Sequence, residues 1–282
     1  MYRNKFNVIL QCKHTKIPLH TVPSVKVIIP SKIKFVLWYL FKSPQRELGW
    51  STLISDLRGI LIFLFRRKIK NAQLQPITIC TGILNRSHNY LNYVIGSLQN
   101  APHKELIELS IFDCGSSDLP DFEQQVKEQW PGKVSFTTVQ TNFSRSFTFN
   151  RAVEQASGKI IFLCDADMSL PEDIVEICNR LTGAKMAWFP IYFYLYKNKP
   201  ATTEKGNGLW DQYGGKGLLA CLKEDFMKMG GLSEQFIAWG GEDTDLWERM
   251  HRNRFTIIRN KQDGLIHHWH TTHNPKYQYM NE

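Results

Sequence analysis

Strand-like and helix-like segments alternate from residue 77 to residue 181, and this alternation limits the possible folds more than any other feature of the chain. Short apolar runs predict four strands, at 77–80, 106–112, 134–139 and 159–164. Helical spacing and helix-start residues predict four helices, at 88–100, 120–130, 145–157 and 169–181. Ser117 or Asp118 is the predicted cap of the second helix. This β-α-β-α-β-α-β order predicts an α/β fold with a mostly parallel, Rossmann-like sheet and helices on both faces.

The distribution of charge divides the chain near residue 75. Residues 1–75 contain 14 of the 35 Lys and Arg residues, against the two acids Glu47 and Asp56. The rest of the chain contains slightly more acids than bases. We therefore predict a basic, partly apolar helical appendage at 1–75 and a globular domain at 76–282. The pattern changes after residue 184, which divides the domain into halves at 76–184 and 185–282.

Two apolar segments in the appendage, 35–41 and 57–65, are flanked by basic residues. Each is shorter than the roughly 20 residues that span a bilayer. They can lie in the interface of an anionic membrane, or they can pack on the globular domain. Nucleic acid is not expected as a partner, because the domain is slightly acidic and has no nucleic-acid-binding motif. The N-terminus lacks a signal-peptide pattern, so we expect a cytoplasmic protein, peripheral on the cytoplasmic face of the inner membrane.

Polar residues follow the predicted strands at the ends where open α/β sheets bind their ligands. These residues are Thr81, Asn85 and Arg86 after the first strand, Asp113 after the second, and Asp165 and Asp167 after the fourth. The fold would tolerate Ala or Gly at each of these positions. Their polarity therefore predicts a binding site at this edge of the sheet.

The carboxylates of Asp165 and Asp167 are two residues apart, directly after an apolar strand. They can bind one cation together, and oxygen ligands of this kind favour Mn²⁺ or Mg²⁺. The alternative is two solvated carboxylates in a turn before a helix. Their place in the predicted topology favours the metal site.

A second acidic group lies in the segment WGGEDTDL at 239–246. Gly240 and Gly241 allow the backbone to approach a ligand closely. Glu242, Asp243 and Asp245 then fall in the predicted first turn of a helix, where acids complement the helix dipole. Three acids exceed what capping requires, and one that stays ionised can accept a proton from an attacking hydroxyl.

Four histidines lie near the C-terminus, at 267, 268, 270 and 273. Neutral imidazole is a common metal ligand. One of these side chains can complete the coordination of the cation at Asp165 and Asp167. A histidine-rich surface loop is the alternative.

The segments ITICTGILNR (77–86), DCGSSD (113–118) and FSRSFTFNRAVEQASGKIIFLCDADM (143–168) resemble the donor site of family-2-type glycosyltransferases with the A-type nucleotide-sugar fold. The resemblance implies that Asp113 contacts the nucleotide base and that Arg151 contacts the nucleotide or its phosphates. The other nucleotide-binding residues predicted on this basis are Thr81, Asn85, Arg86 and Asp165.

The segment at 212–246, with its WGGED motif, resembles β-1,4-galactosyltransferases and bacterial chondroitin-type polymerases. The resemblance implies that Asp243 is the general base, that Gly241 and Glu242 bind the acceptor, and that Trp239 stacks near the sugars. Thr244 departs from the galactosyltransferases, which carry a further Asp there, so their sugar preference does not transfer directly.

The same resemblance implies one histidine ligand to the metal after the acceptor region. We assign it to His270, with His268 as the alternative. The galactosyltransferases also use a Met ligand, and no matching Met is found here, which leaves the full coordination open.

These resemblances imply an inverting, metal-dependent transfer of a sugar of the Gal, GalNAc or GlcNAc class from a UDP-sugar donor. The acceptor would be an oligosaccharide or a lipid-linked glycan, in the synthesis of a bacterial polysaccharide such as a capsule. A glycoside hydrolase with paired carboxylates and a non-catalytic sugar-nucleotide-binding scaffold are the alternatives.

Overall fold

The computed structural model describes residues 57–63, 65, 74–211, 216–237 and 240–270. Its eleven strands are β1 (Ile77–Ile83), β2 (Ile107–Asp113), β3 (Val134–Thr138), β4 (Ile160–Leu163), β5 (Met168–Ser169), β6 (Met186–Trp188), β7 (Ile191–Leu195), β8 (Gly208–Trp210), β9 (Leu219–Leu222), β10 (Thr256–Ile258) and β11 (Lys261–His267).

Six helices of the domain follow the same chain order. They are α1, built from Ser87–Asn89, a π-helical Tyr90–Ile95 and Gly96–Leu98, then α2 (Phe122–Gln129), α3 (Arg145–Gln155), α4 (Ile174–Leu181), α5 (Lys223–Lys228) and α6 (Glu242–Arg252). A 3₁₀ turn at Lys104–Leu106 precedes β2. None of the described helices is both long and apolar enough to cross a bilayer.

The main sheet has seven strands in the order β10-β6-β9-β4-β1-β2-β3. Its first four strands in sequence are parallel to one another: β1 pairs in parallel with β2 and β4, and β2 pairs in parallel with β3. Strand β9 is antiparallel to both of its neighbours, β4 and β6. The predicted α/β class with a mostly parallel sheet is therefore confirmed.

The core lies on both faces of this sheet, as the alternation of side chains along each strand requires. Ile77 and Ile79 of β1 belong to one cluster together with the buried side chains of α1, α2 and α4. Cys80 of β1 belongs to a second cluster together with those of α3, α5 and α6. The predicted placement of helices on both faces is thus also found.

A smaller sheet has the strand order β5-β11-β7-β8. The apolar run at 186–196 forms two strands, β6 and β7, in different sheets. The break falls at Pro190, which has no N–H to donate to a strand ladder. Strand β11, the last described strand of the chain, pairs with β7 and, antiparallel, with β5. It therefore lies beside the residues that follow β4.

Two local predictions need correction. Strand β1 continues to Ile83, so Thr81 is buried inside the strand rather than following it. Ser117 or Asp118 was predicted to cap the second helix, but α2 begins at Phe122 without a side-chain cap. Asp118 instead accepts hydrogen bonds from the backbone N–H and hydroxyl of Ser87, at 2.9 and 2.8 Å, and so caps α1.

The predicted boundary at residue 75 falls at an edge of the described chain and stays a prediction. The described part of the appendage is residues 57–63, 65 and 74–75. Residues 57–63 are helical, and Gly59 is buried where an added Cβ would lie 2.1 Å from the carbonyl oxygen of Ile257. This helix therefore packs against the β10 edge of the main sheet.

The amino ends of the parallel strands are held together by one buried carboxylate, Glu108, which is 5% exposed. It accepts hydrogen bonds from the hydroxyls of Thr78, Ser135 and Ser157 at 2.7 to 2.9 Å. The backbone N–H groups of Ser157 and Gly158 donate to the same carboxylate. Burial alone would raise the pKa of Glu108, but these hydrogen bonds outweigh it and lower the pKa from 4.5 to about 2.

We expect Glu108→Gln to lower the free energy of unfolding by about 3 kcal/mol at pH 7, because the variant cannot form the same charge-assisted hydrogen bonds. In the native protein this stabilisation is complete above pH 4.5 and is lost as the pH falls towards 2. Urea unfolding at both ends of that range measures the difference. The matched control is Glu123→Gln, since Glu123 pairs with Lys127 at the surface and its loss should cost below about 1 kcal/mol. Equal urea midpoints for the two variants at pH 7 would contradict the assignment.

Candidate functional site

The carboxyl ends of β1, β2 and β4 lie side by side, and the predicted polar residues are found at this edge. Asp113 is the last residue of β2, and Asn85 and Arg86 follow the end of β1 at Ile83. Asp165 and Asp167 follow the end of β4 at Leu163. The edge therefore holds polar side chains from three adjacent parallel strands, as an α/β ligand site requires.

Asp167 forms a compact group with two of the late histidines. Its carboxylate oxygens lie 3.0 Å from Nε2 of His270 and 3.4 Å from Nε2 of His267. One ligand atom from each of the three residues lies within 4.8 Å of the other two. Burial alone would raise the pKa of Asp167, but His267, His270 and Arg86 hold this pKa well below its ordinary value, so the carboxylate is ionised.

Backbone pairing brings this group together. Met168, the residue after Asp167, pairs with His267 across the β5–β11 ladder. The backbone N–H of His268 donates to the carbonyl of Asp167 at 2.8 Å. Residues far apart in sequence are thus fixed next to each other by strand hydrogen bonds.

The donor set of this group suits a divalent cation. One carboxylate and two imidazoles are a common ligand combination for first-row metals. Oδ1 of Asp167 and Nδ1 of His267 are buried and have no hydrogen-bond partner among the described residues. A buried polar atom of this kind calls for an explanation, and a cation bound at the Asp167 carboxylate would satisfy Oδ1.

The structure separates the late histidines that it describes. His270, the residue assigned as ligand, lies against Asp167, and His267, which was not chosen, joins it. The alternative, His268, is not in the group, although it directly follows His267 at the end of β11. Its Nε2 lies 2.6 Å from the hydroxyl of Ser169, and its ring stacks on Tyr93 with the centroids 3.6 Å apart. Burial, with the neighbouring His267, lowers the pKa of His268 to about 4, so the ring is neutral.

Asp165 was predicted to share the metal, but the structure pairs it with an arginine that the sequence did not single out. Nε and Nη2 of Arg145 both lie 3.1 Å from Oδ1 of Asp165. Nη1 of the same guanidinium lies 3.4 Å from Glu242, and Nη2 donates to the carbonyl of Gly217 at 2.7 Å. Arg145 therefore connects the segment after β4, residues 165–167, to the acidic turn.

The guanidinium of Arg145 is enclosed, with a side chain 13% exposed that lies over the ring of Phe149 at 4.4 Å. Burial alone would lower the pKa of Arg145, but Asp165, Glu242 and Asp243 outweigh it and raise the pKa above its ordinary value. The charge is thus permanent, and it holds two carboxylates that would otherwise repel each other.

Arg151, the arginine predicted to contact the nucleotide, lies elsewhere on α3. It pairs with Glu154 at 2.5 Å and with Glu234 at 3.0 Å, and its side chain is 35% exposed. Six residues after Arg145, it faces another side of the helix. The placement of the side chains therefore favours Arg145 over Arg151 as the arginine of the site.

The loop after β1 and the turn after β2 are tied together by short hydrogen bonds. Oδ1 of Asn85 accepts from the N–H of Ser117 at 2.8 Å. The Asp113 carboxylate accepts from the N–H and hydroxyl of Ser116 at 2.9 and 2.6 Å. Asp113, Ser116 and Ser117 line a cleft of about 770 Å³, whose far wall includes Phe136.

Arg86 links the loop after β1 to the group formed by Asp167, His267 and His270. Its Nη2 lies 3.3 Å from Nδ1 of His270. Thr81, in contrast, is fully buried in β1 and presents no side chain to the cleft. Of the residues predicted around the nucleotide, Asn85, Arg86 and Asp113 are therefore brought together, while Thr81 can act only by supporting them.

The acidic turn opens α6. Gly240 and Gly241 have φ angles of 94° and 108°, in the left-handed region that favours glycine. A Cβ on Gly241 would lie 2.8 Å from the ring of Phe236. Trp239 lies outside the described residues. The two glycines thus let the chain turn sharply into the helix that carries the acids.

The three acids of this turn have different partners. Glu242 is buried and pairs with Arg145, and its second oxygen has no hydrogen-bond partner among the described residues. Asp245 pairs with Arg249 one helical turn later, at 2.8 Å. Asp243 accepts a hydrogen bond from the N–H of the adjacent Thr244, at 2.7 Å, and forms no ion pair within 4.0 Å in the described part of the chain. It is the acid of the three that has no ion pair among the described residues.

One further cation beside the acidic turn was missed by the sequence reasoning. Nζ of Lys216 lies 4.5 Å over the ring of Trp247. Burial, together with the nearby Arg259, lowers the pKa of Lys216 to about 8, against an opposing effect of Asp243. In the sequence, the only signal for Lys216 is its position at the end of a glycine-rich segment.

The family of the chain and its structural relatives identify the domain as a glycosyltransferase with the A-type nucleotide-sugar fold. A mannosyltransferase of Pyrobaculum calidifontis, solved with GDP-mannose and Mn²⁺, has the same fold, with a TM-score of 0.53 and 12% identity over 88% of this chain and 71% of that one. The family model of the chondroitin N-acetylgalactosaminyltransferases matches residues 109–279, and the chain belongs to this family. The predicted enzyme class is thereby confirmed.

Two curated relatives illustrate the distance within the family. Mouse chondroitin sulfate N-acetylgalactosaminyltransferase 1 is 25% identical over 158 residues, which are 49% of this chain and 30% of the relative. Human chondroitin sulfate synthase 3 is 27% identical over 202 residues, which are 66% of this chain and 22% of the relative. The chain thus spans less than a third of the length of either relative.

We expect Arg145→Met to lower the free energy of unfolding by about 3 kcal/mol, because the substitution leaves two carboxylates without their partner, one of them buried. Arg151→Met is the matched control on the same helix, where loss of a half-exposed pair should cost below about 1 kcal/mol. Urea denaturation of both variants measures the difference. A smaller loss for Arg145→Met than for Arg151→Met would show that the bridge does not hold the site together.

Proposed function

We propose that this chain transfers N-acetylgalactosamine from a UDP-sugar donor to a hydroxyl of a glycan, with inversion at the anomeric carbon. Family membership supports sugar transfer, and the names of the relatives favour N-acetylgalactosamine within the wider class of Gal, GalNAc and GlcNAc. UDP and inversion come from the resemblance of the WGGED segment. The observation that carries the proposal is the convergence of Asp167, His267 and His270 with the Arg145-linked acidic turn at one edge of the sheet.

Asp167, His267 and His270 would hold the divalent cation. The two imidazoles favour Mn²⁺ over Mg²⁺, which prefers oxygen ligands alone. When bound, the cation would stabilise the negative charge of the departing diphosphate. In this proposal Asp165 stays with Arg145, and its carboxylate, 35% exposed, faces the bound donor rather than the metal.

The cleft beside Asp113 fits the nucleoside part of the donor. Asp113 is fixed by Ser116 and can accept a hydrogen bond from the base or the ribose. Arg86, which follows Asn85 in the loop after β1, carries a positive charge beside His270, a suitable place for a diphosphate.

Asp243 would accept the proton of the attacking hydroxyl. It lies in the first turn of α6 next to Glu242, and it is the acid of the turn that is not consumed by an ion pair in the described chain. Glu242 is held by Arg145, and its second, unpartnered oxygen can accept a hydrogen bond from the acceptor sugar. The acceptor is proposed to be an oligosaccharide or a lipid-linked glycan.

The metal assignment is tested by Mn²⁺ binding, followed by electron paramagnetic resonance without any substrate. We expect Asp167→Asn, His267→Gln and His270→Gln each to weaken Mn²⁺ binding at least about tenfold, since each removes one of three ligands. His103→Gln is the control, because His103 lies near surface carboxylates away from the site. Unchanged affinity in the three variants would reject this ligand set.

The reaction is tested with a panel of UDP-sugars, with released UDP and the elongated glycan as separate readouts. We expect Asp243→Asn to lower kcat at least about a hundredfold, within the range for loss of a general base, while UDP binding is kept. Asp245→Asn, in the same turn but paired with Arg249, should stay within about threefold of the native protein because it has no proposed contact with substrate. Sugar release from a glycan without UDP would identify a hydrolase instead, and UDP binding without turnover on any donor would identify a scaffold.

A further inference from the structure

The helix at 57–63, which precedes the domain, has two different apolar faces. Gly59, Ile62 and Phe63 form the inner face. Gly59 lies against the backbone of Ile257, and Ile62 and Phe63 pack on the main hydrophobic cluster. At 100° per residue these three positions fall on one side of the helix. The orientation of the helix on the domain is therefore fixed.

The opposite side carries Leu57, Leu61 and Phe65, four residues apart. They are 43%, 55% and 75% exposed, and they are three of the seven exposed large hydrophobic residues in the described chain. The spacing places them within an arc of roughly 80°. An apolar stripe of this kind, turned away from the domain, is typical of a surface that contacts another phase or partner.

Charge identifies the partner. Arg58 is exposed beside the stripe, and Arg66, Arg67 and Lys68 follow it directly in sequence. Residues 1–75 contain 14 basic residues against two acids, whereas the domain is slightly acidic. A helix with an exposed apolar stripe and basic flanks matches an anionic lipid surface, which accepts apolar side chains below the headgroups and attracts Lys and Arg at headgroup level.

We propose that Leu57, Leu61 and Phe65 insert into an anionic membrane leaflet and dock the domain on it. A second copy of the chain does not suit this surface, because two strongly basic segments would repel each other. The inner face of the helix is already packed on the domain, so the membrane contact would orient the domain rather than tether it loosely. This inference is independent of the sugar that the domain transfers.

The test is co-sedimentation of the full chain with vesicles of phosphatidylcholine, with and without phosphatidylglycerol. We expect binding to the anionic vesicles, weakened by salt, and little binding to phosphatidylcholine alone. The triple variant Leu57→Gln/Leu61→Gln/Phe65→Gln should bind the anionic vesicles at least about tenfold more weakly, because the inserted apolar side chains are gone. Gln keeps the helix propensity high.

The matched control replaces three hydrophobic residues of similar exposure elsewhere, Val139, Met227 and Ile237, which are 42%, 46% and 82% exposed. The control variant should bind vesicles like the native protein. Vesicle binding that the stripe variant retains in full, or that ignores phosphatidylglycerol, would overturn the proposal. Native protein that does not bind vesicles would also overturn the proposal. In that case, a loss of thermal stability in the stripe variant would indicate that another segment of the same chain covers the stripe. Dissociation of a dimer in the stripe variant would indicate that a second copy covers it.

Discussion

The site depends on the ion pairs and the hydrogen bond that the Arg145 guanidinium forms. It binds Asp165 after β4, Glu242 at the start of α6 and the carbonyl of Gly217, and so joins three segments that are distant in sequence. Carboxylates gathered around one cavity repel each other, and burial makes the repulsion stronger. A permanent positive charge between them offsets this repulsion. The aspartate–histidine group and the acidic turn can therefore share one edge of the sheet.

Much of the fold could be predicted from sequence, because strand–helix alternation is a local pattern with one common solution. The parallel strands, the helices on both faces and the strand-end position of Asp113, Asp165 and Asp167 all follow from it. The predicted acidic turn at the start of a helix also matches the structure, since glycine pairs and acidic first turns have local causes. Cap residues were less predictable: Asp118 serves α1 through a contact across the turn, which no local pattern reveals.

The details of the site required the tertiary structure. Choosing among His267, His268 and His270 depends on how the end of β11 and the residues after it run past Asp167. The pairing His267↔Met168 and the hydrogen bond from the His268 N–H to the Asp167 carbonyl fix this path. Choosing between Arg145 and Arg151 depends on which side of α3 faces the strand ends. Motif resemblance places an arginine on this helix but does not specify its side. In both cases the residue type was foreseen, and the tertiary structure decided the position.

The β5–β11 pairing has a consequence for the biosynthesis of the protein. A chain emerging from the ribosome completes β1 to β4, and with them the cleft beside Asp113, long before β11 is made. Asp167 is present at that stage, but its histidine partners are not, because they arrive with the last described strand. A nascent or truncated chain could thus fold its first half and still lack the ligands for a cation. On the proposed assignment, the three ligands come together only after β11 has been made.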